Sequence, residues 1–455
     1  MDVAGTLFGA IELATRECAL FAACGFLLLG LSDLAVDLLW IVRAAAAPPP
    51  RSFVSTMPAP ERPGAIAIFI PAWDEGAVIG RMLGHALGTF AGAEFRIYVG
   101  CYPNDPATMQ AAKAVNDPRV RIVLGPVPGP TTKADCLNRI WEAMEADEQE
   151  QGRRFKAVVL QDAEDVVHSA ELRIFDALIG EFDLVQLPVL PLIDPRSRWI
   201  GGHYADEFAE AHGKELVVRQ WLGASVPSAG VGCAFCREAL GRLAGDTAPF
   251  DADSLTEDYE LGLRLSAAGG RSAFVRMAAA PGGRTVAIRE YFPGTVQAAV
   301  RQKGRWMTGI ALSGWDRLGW NGGVVESWMR VRDRQSLVAA LCLLAGYLAL
   351  AGGAVLEVGK LASGYETQPL GHALQLMLLA NFALLVWRLA MRFGFTTRAY
   401  GLREGLRAVP RVVVSNAIAI LAARRAVIRY LAIRRSGTTS WDKTTHFFPS
   451  QFPAE

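Results

Sequence analysis

Three carboxylates fall within four residues at Asp162-Ala163-Glu164-Asp165, directly after the apolar run Ala157 to Gln161. Like charges packed so closely are costly without a cation. An oxygen-only ligand set suits Mg2+ or Mn2+, and Mg2+ typically takes one or two carboxylates plus water and substrate phosphates. A capped turn before the helix that starts near Ala170 is the other reading. Asp74-Glu75 follows the run Ala65 to Pro71 and leads into a helix, so capping competes with ligand contact there as well. Thr256-Glu257-Asp258 opens the helical stretch Tyr259 to Ala267. Asp258 suits a helix N-terminus or a general base, since deprotonating an attacking hydroxyl needs a carboxylate within hydrogen-bond reach. In Gln302-Lys303-Gly304-Arg305-Trp306, Arg305 offers a planar fork for phosphate oxygens and Trp306 a flat face for a sugar or base. A basic helix resting on lipid headgroups is the alternative.

The elements that must hold these residues alternate. Ala65 to Pro71, Phe95 to Gly100, Val120 to Leu124, Ala157 to Gln161 and Leu184 to Leu190 read as buried strands. Helical patterns occupy Gly76 to Thr89, Pro106 to Asn116, Lys133 to Glu148 and Ala170 to Ile179. Strand-then-helix alternation predicts an α/β fold, a mainly parallel Rossmann-like sheet covered on both faces, with ligands at the carboxyl ends of the strands. Each acidic motif follows such a strand or opens a helix.

Composition adds a membrane. Of 455 residues 51% are hydrophobic, while 46 basic against 45 acidic side chains leave a net charge of +1, which makes no electrostatic case for nucleic acid as the main partner. Seven cysteines, with Cys18, Cys24 and Cys342 in apolar runs, argue against a secreted disulfide framework. Cys18 to Val42 is long enough to cross a hydrocarbon layer about 30 Å thick, although Asp33 and Asp37 share one helix face and need partners. It reads as an uncleaved anchor, with a soluble core helix as the alternative. Ser336 to Leu356 and Leu370 to about Met391 read as further spans. Arg330, Arg332 and Arg334 before them, and Arg388, Arg392, Arg398, Arg403 and Arg407 at their exit, predict cytoplasmic outer flanks and a cytosolic middle region. The shorter run Val412 to Ala423 reads as an interfacial or re-entrant helix, with the basic tail on the anionic inner leaflet; a fourth span is the alternative. The expected organisation is an anchor and stiff Pro48-Pro49-Pro50 linker over 1–50, a cytosolic domain over 51–330, two spans over 331–395, and an interfacial helix with its tail over 396–455.

Taken in order, these motifs resemble the family 2 glycosyltransferases of the membrane-bound polysaccharide-synthase type, from about Ile66 to Trp306 together with the flanking spans. The resemblance implies a GT-A fold, Mg2+ or Mn2+ dependence and a nucleotide-sugar donor. It implies that Asp162 with Glu164 or Asp165 forms the metal and diphosphate motif, and that Asp258 is the catalytic base. Asp74, Glu75, Asp105, Lys133, Asn138, Gln302, Arg305 and Trp306 become donor-site residues, and Glu257, Gly230, Cys233 and Trp306 acceptor-site residues. Many relatives carry Asp-Asp-Gly after the second strand, where this chain reads Cys101-Tyr102-Pro103-Asn104-Asp105; the nucleoside-reading acid is assigned to Asp105. Pro71 to Glu75, Cys101 to Pro106 and Asp162 to Val167 are similar to an NfrB-like subfamily of bacterial exopolysaccharide glycosyltransferases.

That likeness implies a UDP-linked sugar, an N-acetylhexosamine being one candidate, transferred with inversion to a growing exopolysaccharide at the bacterial inner membrane. An export partner or homo-oligomer would then carry the chain out. Transfer of one sugar to a membrane lipid carrier, or a catalytically silent scaffold or receptor, are the alternatives. NfrB-type proteins also carry a C-terminal cyclic-di-GMP-binding domain, and with the sequence ending at Glu455 that regulation is not expected here. Cys233 and Cys236 lack a second pair at zinc spacing, and His203, Glu207, Glu210 and His212 read as the polar face of a helix near the acceptor groove.

Overall fold

Near-continuous apolar runs make a sheet that is buried on both faces, as parallel strands require. In the computed structural model, residues 3–46, 53–245, 247–320, 322–437, 439, 441 and 443–449 are described; the triple-proline linker lies outside them. The strands are β1 (Ile66–Pro71), β2 (Phe95–Cys101), β3 (Val120–Leu124), β4 (Ala157–Leu160), β5 (Leu184–Gln186), β6 (Cys233–Cys236) and β7 (Ser272–Phe274). They lie in the order β3-β2-β1-β4-β6-β5-β7. β6 runs antiparallel to both β4 and β5, and the remaining pairs are parallel. Alternation along β1 sends Ile66, Ile68 and Ile70 to one face and Ala67 and Phe69 to the other, seeding two core layers.

Helix α1 (Val3–Ala46) precedes the sheet, and α2 (Ile79–Thr89), α3 (Pro106–Lys113), α4 (Lys133–Gln151) and α5 (Glu171–Leu178) connect β1 to β5. After β5 come α6 (Ile200–Glu210) and α7 (Leu216–Trp221), joined by a π-helical turn, Ala211–Glu215. Then follow α8 (Arg237–Ala244), α9 (Glu257–Ala267), α10 (Val296–Trp306), α11 (Gly314–Leu318) and α12 (Val324–Arg334). The four expected connecting helices all form, although α2 starts three residues late and β5 stops at Gln186 rather than Leu190. Leu187-Pro188 ends it, because proline cannot donate to a ladder.

Helices α13 (Ser336–Ser363), α14 (His372–Tyr400) and α15 (Leu402–Ser436) complete the chain. With α1 they are the four helices long and apolar enough to cross a membrane, judged by length and composition. Small residues let α1 lie close on α13: a β-carbon at Gly25 would strike Cys342, one at Gly352 Thr15 and one at Gly359 Phe8. Asp33 and Asp37 find the partners their burial demands. Asp37 pairs with Lys214 of the π-turn and accepts from Trp387 Nε1 at 2.8 Å. Asp33 lies 3.0 Å from Arg332 and 2.8 Å from Arg388.

Two features of the C-terminal region extend beyond what the sequence shows. Val412 to Ala423 is part of one 35-residue helix, α15, because the arginine-rich turns around it are also anchored. Arg411, fully buried, lies 3.1 Å from Asp206 and 3.0 Å from Glu404, and Ser415 donates to Glu207 at 2.6 Å. The chain beyond Gly437 turns back toward the sheet. Trp441 N donates to Thr131 O at 3.0 Å, and residues 443–449 return to the carboxyl ends of the strands.

Candidate active site

Lys133 is the first residue of α4, fixed there by Thr132, whose Oγ1 accepts from Asp135 N at 3.1 Å. Its Nζ reaches Asp162 Oδ1 at 2.7 Å, bridging the helix start to the turn after β4. Burial would lower Lys133, but Asp162, Glu257 and Asp258 outweigh it and hold the ammonium charged well above the usual lysine range. Glu257 and Asp258 occupy the first turn of α9. Burial raises both carboxyls, Glu257 to about 7 with Asp258 adding to it, while Lys133 and Arg305 pull both back down.

Gly230 lets Asp258 approach. Its φ of 78° is the left-handed region, and a β-carbon there would collide with Asp258 Oδ2. Ser228 Oγ accepts from Gly230 N at 3.1 Å and donates to Cys233 Sγ at 3.2 Å, so Cys233 is a buried support of this loop. Lys133, Glu257 and Arg305 line one small cavity with Thr132, Leu255 and Trp441. Arg305 and Trp306 end α10, and Gln302 lies one turn earlier. Gln302 Oε1 and Arg305 Nε are buried without a hydrogen-bond partner among the described residues. Trp306 packs edge-on to Tyr204 and Phe292, with ring centroids 6.1 and 6.2 Å away.

The three carboxylates after β4 part company. Asp162 faces Lys133. Asp165 turns back, its Oδ2 accepting from Asp162 N at 2.8 Å, and burial together with Glu290 and Asp162 raises it far above its usual range. Glu164 meets two residues from elsewhere in the chain: ligand atoms of Glu75, Glu164 and His446 all lie within 4.8 Å of one another. His446 Nδ1 is 2.8 Å from Glu75 Oε1 and 3.1 Å from Glu164 Oε1, and Lys443 Nζ is 3.0 Å from Glu75. Burial would lower the imidazole, yet Glu164 and Glu75 raise it to about 10. The imidazole thus sits where two buried carboxylates favour positive charge. Glu164 Oε2 and Asp165 Oδ1 have no hydrogen-bond partner among the described residues. Two carboxylates, an imidazole and unsatisfied oxygens fit a divalent ion.

Other expected residues are engaged elsewhere. Both amide atoms of Asn138 clamp Phe250, donating to its O at 2.7 Å and accepting from its N at 3.0 Å, which steadies the loop before α9. Asp105 caps α3 and accepts from Asp74 N. Asp74 is exposed at a φ of 55°, with its carbonyl bonded by Lys443. Along α6 and the π-turn, Glu207 holds Lys303 at 2.6 Å and His212 Nδ1 accepts from Val189 N at 2.9 Å. The seven cysteines are free.

Sequence reasoning missed His446, Lys443 and Glu290. Glu290 is buried, and Glu164 and Asp162 add to that burial in raising its carboxyl far above the usual range. A bridge between Val166 and Arg289 sets its segment beside the acidic turn. In sequence Glu290 reads only as half of the charged pair Arg289-Glu290 between Ile288 and Tyr291-Phe292, which gives no local reason to place it at the site.

A mainly parallel α/β sheet thus carries buried acids, a lysine and an arginine at its carboxyl edge and is set beside long apolar helices. The chain belongs to the family described as Glycosyltransferase like family 2, which matches residues 63–309, more than half of it. It is 36% identical over 456 residues to Bacteriophage adsorption protein B of Escherichia coli strain K12, and equally to Bacteriophage N4 adsorption protein B of E. coli O157:H7. Each alignment covers 92% of this chain but 60% of the relative, so the chain spans well under the full length of those proteins. Among solved structures, the mannosyltransferase PcManGT of Pyrobaculum calidifontis, in complex with GDP-Man and Mn2+, is similar at 16% identity and a TM-score of 0.49. That match covers 89% of this chain and 99% of the other.

Proposed function

We propose that this enzyme is an inverting, divalent-metal-dependent glycosyltransferase that moves a sugar from a UDP-sugar to a growing exopolysaccharide at the cytoplasmic face of a bacterial inner membrane. The observation that carries this reading is that Lys133 and Arg305 line one cavity with Glu257, while Asp162 pairs with that lysine and Asp258 lies within electrostatic reach of Lys133, Arg305 and Asp162. Asp258 accepts the acceptor hydroxyl's proton as that oxygen attacks the anomeric carbon. The bond from that carbon to the diphosphate oxygen breaks, and the electron pair leaves with the nucleoside diphosphate. Attack opposite the leaving group inverts the centre. Lys133 and Arg305 hold phosphate oxygens, and Trp306 offers the acceptor sugar an apolar face. Glu164, His446 and Glu75 would hold the divalent ion, whose chemistry is to neutralise charge on the diphosphate.

The topology proposed with it has three crossings, α1, α13 and α14, and α15 lying along the inner surface. Its support is the return of Lys443 and His446 to Glu75 and Glu164, which puts both ends of α15 on the catalytic domain's side. The close packing of α1 on α13 favours a second reading, in which a lone chain has no conduit of its own and adds one sugar to a lipid-linked acceptor.

Purified Asp258→Asn is expected to bind UDP with near wild-type affinity while transfer falls about 10²–10⁴-fold. Transfer within a few-fold of wild type would remove Asp258 from its role. A ladder of radiolabelled products from wild type excludes single transfer, and one discrete product excludes polymer synthesis.

A further inference from the structure

Where the long helices meet the sheet domain, the arginines divide into two sets. On α14, Arg388 lies 2.8 Å from Asp33 and Arg392 3.9 Å from Asp206, so each has its acid. Arg398, in the last turn of the same helix, has no hydrogen bond or carboxylate partner among the described residues. Arg43, in the last turn of α1, has none either.

Packing sets these two beside a third. Trp40 of α1 meets Phe395 of α14 with ring centroids 5.0 Å apart. Phe395 in turn lies on Gly213 of the π-turn, where a β-carbon would strike its ring. The carbonyl of Gly213 accepts from Arg276 Nη1 at 3.3 Å, in the segment that follows β7. Arg43 and Arg398 each stand three residues beyond those aromatic side chains and share their helix faces. Three guanidiniums from three separate elements therefore converge. Desolvation, and then the like charges of Arg398 and Arg43, lower Arg276 to about 10, and no carboxylate among the described residues acts to restore it.

Two ordinary explanations fall short. Arginine in the last turn of a helix answers the helix dipole, which is worth about half a charge per helix end. The ends of α1 and α14 thus offset about one of the three charges. A solvated basic face is the other explanation, and the neighbouring surface does not suit it. Leu38, Ile41 and Val42, leading up to Arg43, are exposed, as are Leu402 and Leu406 beyond Arg398. Apolar surface on both sides of a cationic cluster matches a headgroup layer, with acyl chains on the one and phosphate on the other.

We propose that Arg43, Arg276 and Arg398 form a binding site for the phosphate of an anionic phospholipid, whose acyl chains run along α1 at Leu38, Ile41 and Val42. A guanidinium can give a phosphate two parallel hydrogen bonds, and Arg276 spends only one donor on Gly213. A choline headgroup would bring a fourth cation into the cluster. Inorganic phosphate shares the anion but lacks the chains. A lipid held there ties the segment after β7 to the ends of two apolar helices, independently of the donor site.

Native mass spectrometry of the full chain in detergent micelles, titrated with phosphatidylglycerol, phosphatidylcholine or inorganic phosphate, tests this. Phosphatidylglycerol is expected to fill one saturable site about tenfold more tightly than phosphatidylcholine, and about a hundredfold excess of inorganic phosphate should leave most of it bound. Arg276→Gln combined with Arg398→Gln should weaken phosphatidylglycerol by about tenfold or more. Arg435→Gln, which removes an exposed arginine in the last turn of α15, should leave it within about twofold. Should the double variant not fold, the comparison of the two lipids on the wild type decides. Equal affinity for both lipids would make the contact merely apolar, and equal losses in the double variant and in Arg435→Gln would make it diffuse surface charge. Either result, an unchanged double variant, or ready displacement by inorganic phosphate would overturn the proposal.

Discussion

Two clusters of buried charge, one where α1 and α14 meet the π-turn and one at the carboxyl edge of the sheet, are compensated differently. At the junction each acid has a cation: Asp37 and Glu210 pair with Lys214, Asp33 with Arg332 and Arg388, and Glu215 with Arg332. At the sheet edge Asp162, Glu164 and Glu75 have partners, whereas Asp165, Glu257, Asp258 and Glu290 have no ion pair among the described residues. A buried charge without compensation raises its own pKa or waits for a ligand. The first cluster is neutralised within the fold, whereas the second keeps four acids without an ion pair among the described residues.

Breaking each cluster should give opposite signatures. The largest stability effect is expected for Lys214→Met, which strands Asp37 and Glu210 in a buried setting and should cost about 3–5 kcal/mol, read as a fall in melting temperature with Mn2+ affinity of the folded protein unchanged. An equal melting temperature would mean that the junction is solvated and the contrast false. Smaller, and confined to the other cluster, His446→Ala is expected to weaken Mn2+ binding about 10–100-fold while melting changes little in the absence of metal. Unchanged Mn2+ affinity would return His446 to a structural part.

The pH profile sharpens the same contrast. Burial raises Asp258 above the ordinary aspartate value, so its base form is lost as pH falls through that raised pKa. Turnover should decline at a higher pH than it would with an unperturbed aspartate, whose pKa is about 4. An acid limb no higher than that of an unperturbed carboxylate contradicts the burial argument. The smallest effect is expected for Glu290→Gln, which removes one uncompensated acid: Mn2+ affinity should fall less than fivefold, with a modest gain in melting temperature. A loss as large as that of His446→Ala would make Glu290 a ligand.

Much of this was legible in the sequence because it is local. β1, β2, β3 and β4 announce themselves as apolar β-branched runs, and a motif placed directly after such a strand must reach the sheet's carboxyl edge, as Asp74, Asp105 and Asp162 do. Three things were not legible, each for a physical reason. β6 is only Cys233–Cys236, too short for periodicity to separate from a loop, and its antiparallel direction is set by neighbours. Asp105 sits where a base reader would sit, but its engagement by Asp74 N depends on a loop 31 residues away. His446 lies 371 residues from Glu75, in a tail whose basic character suggested lipid, and nothing local says that it folds back.

The most direct test of the central claim, that the acidic sheet edge takes a divalent ion at Glu75, Glu164 and His446, is a Mn2+ titration of the full chain by electron paramagnetic resonance, with and without UDP. One site, tightened by UDP and weakened at least about tenfold by Glu164→Gln, is the predicted result. Mn2+ binding that ignores both UDP and the Glu164 substitution would contradict it.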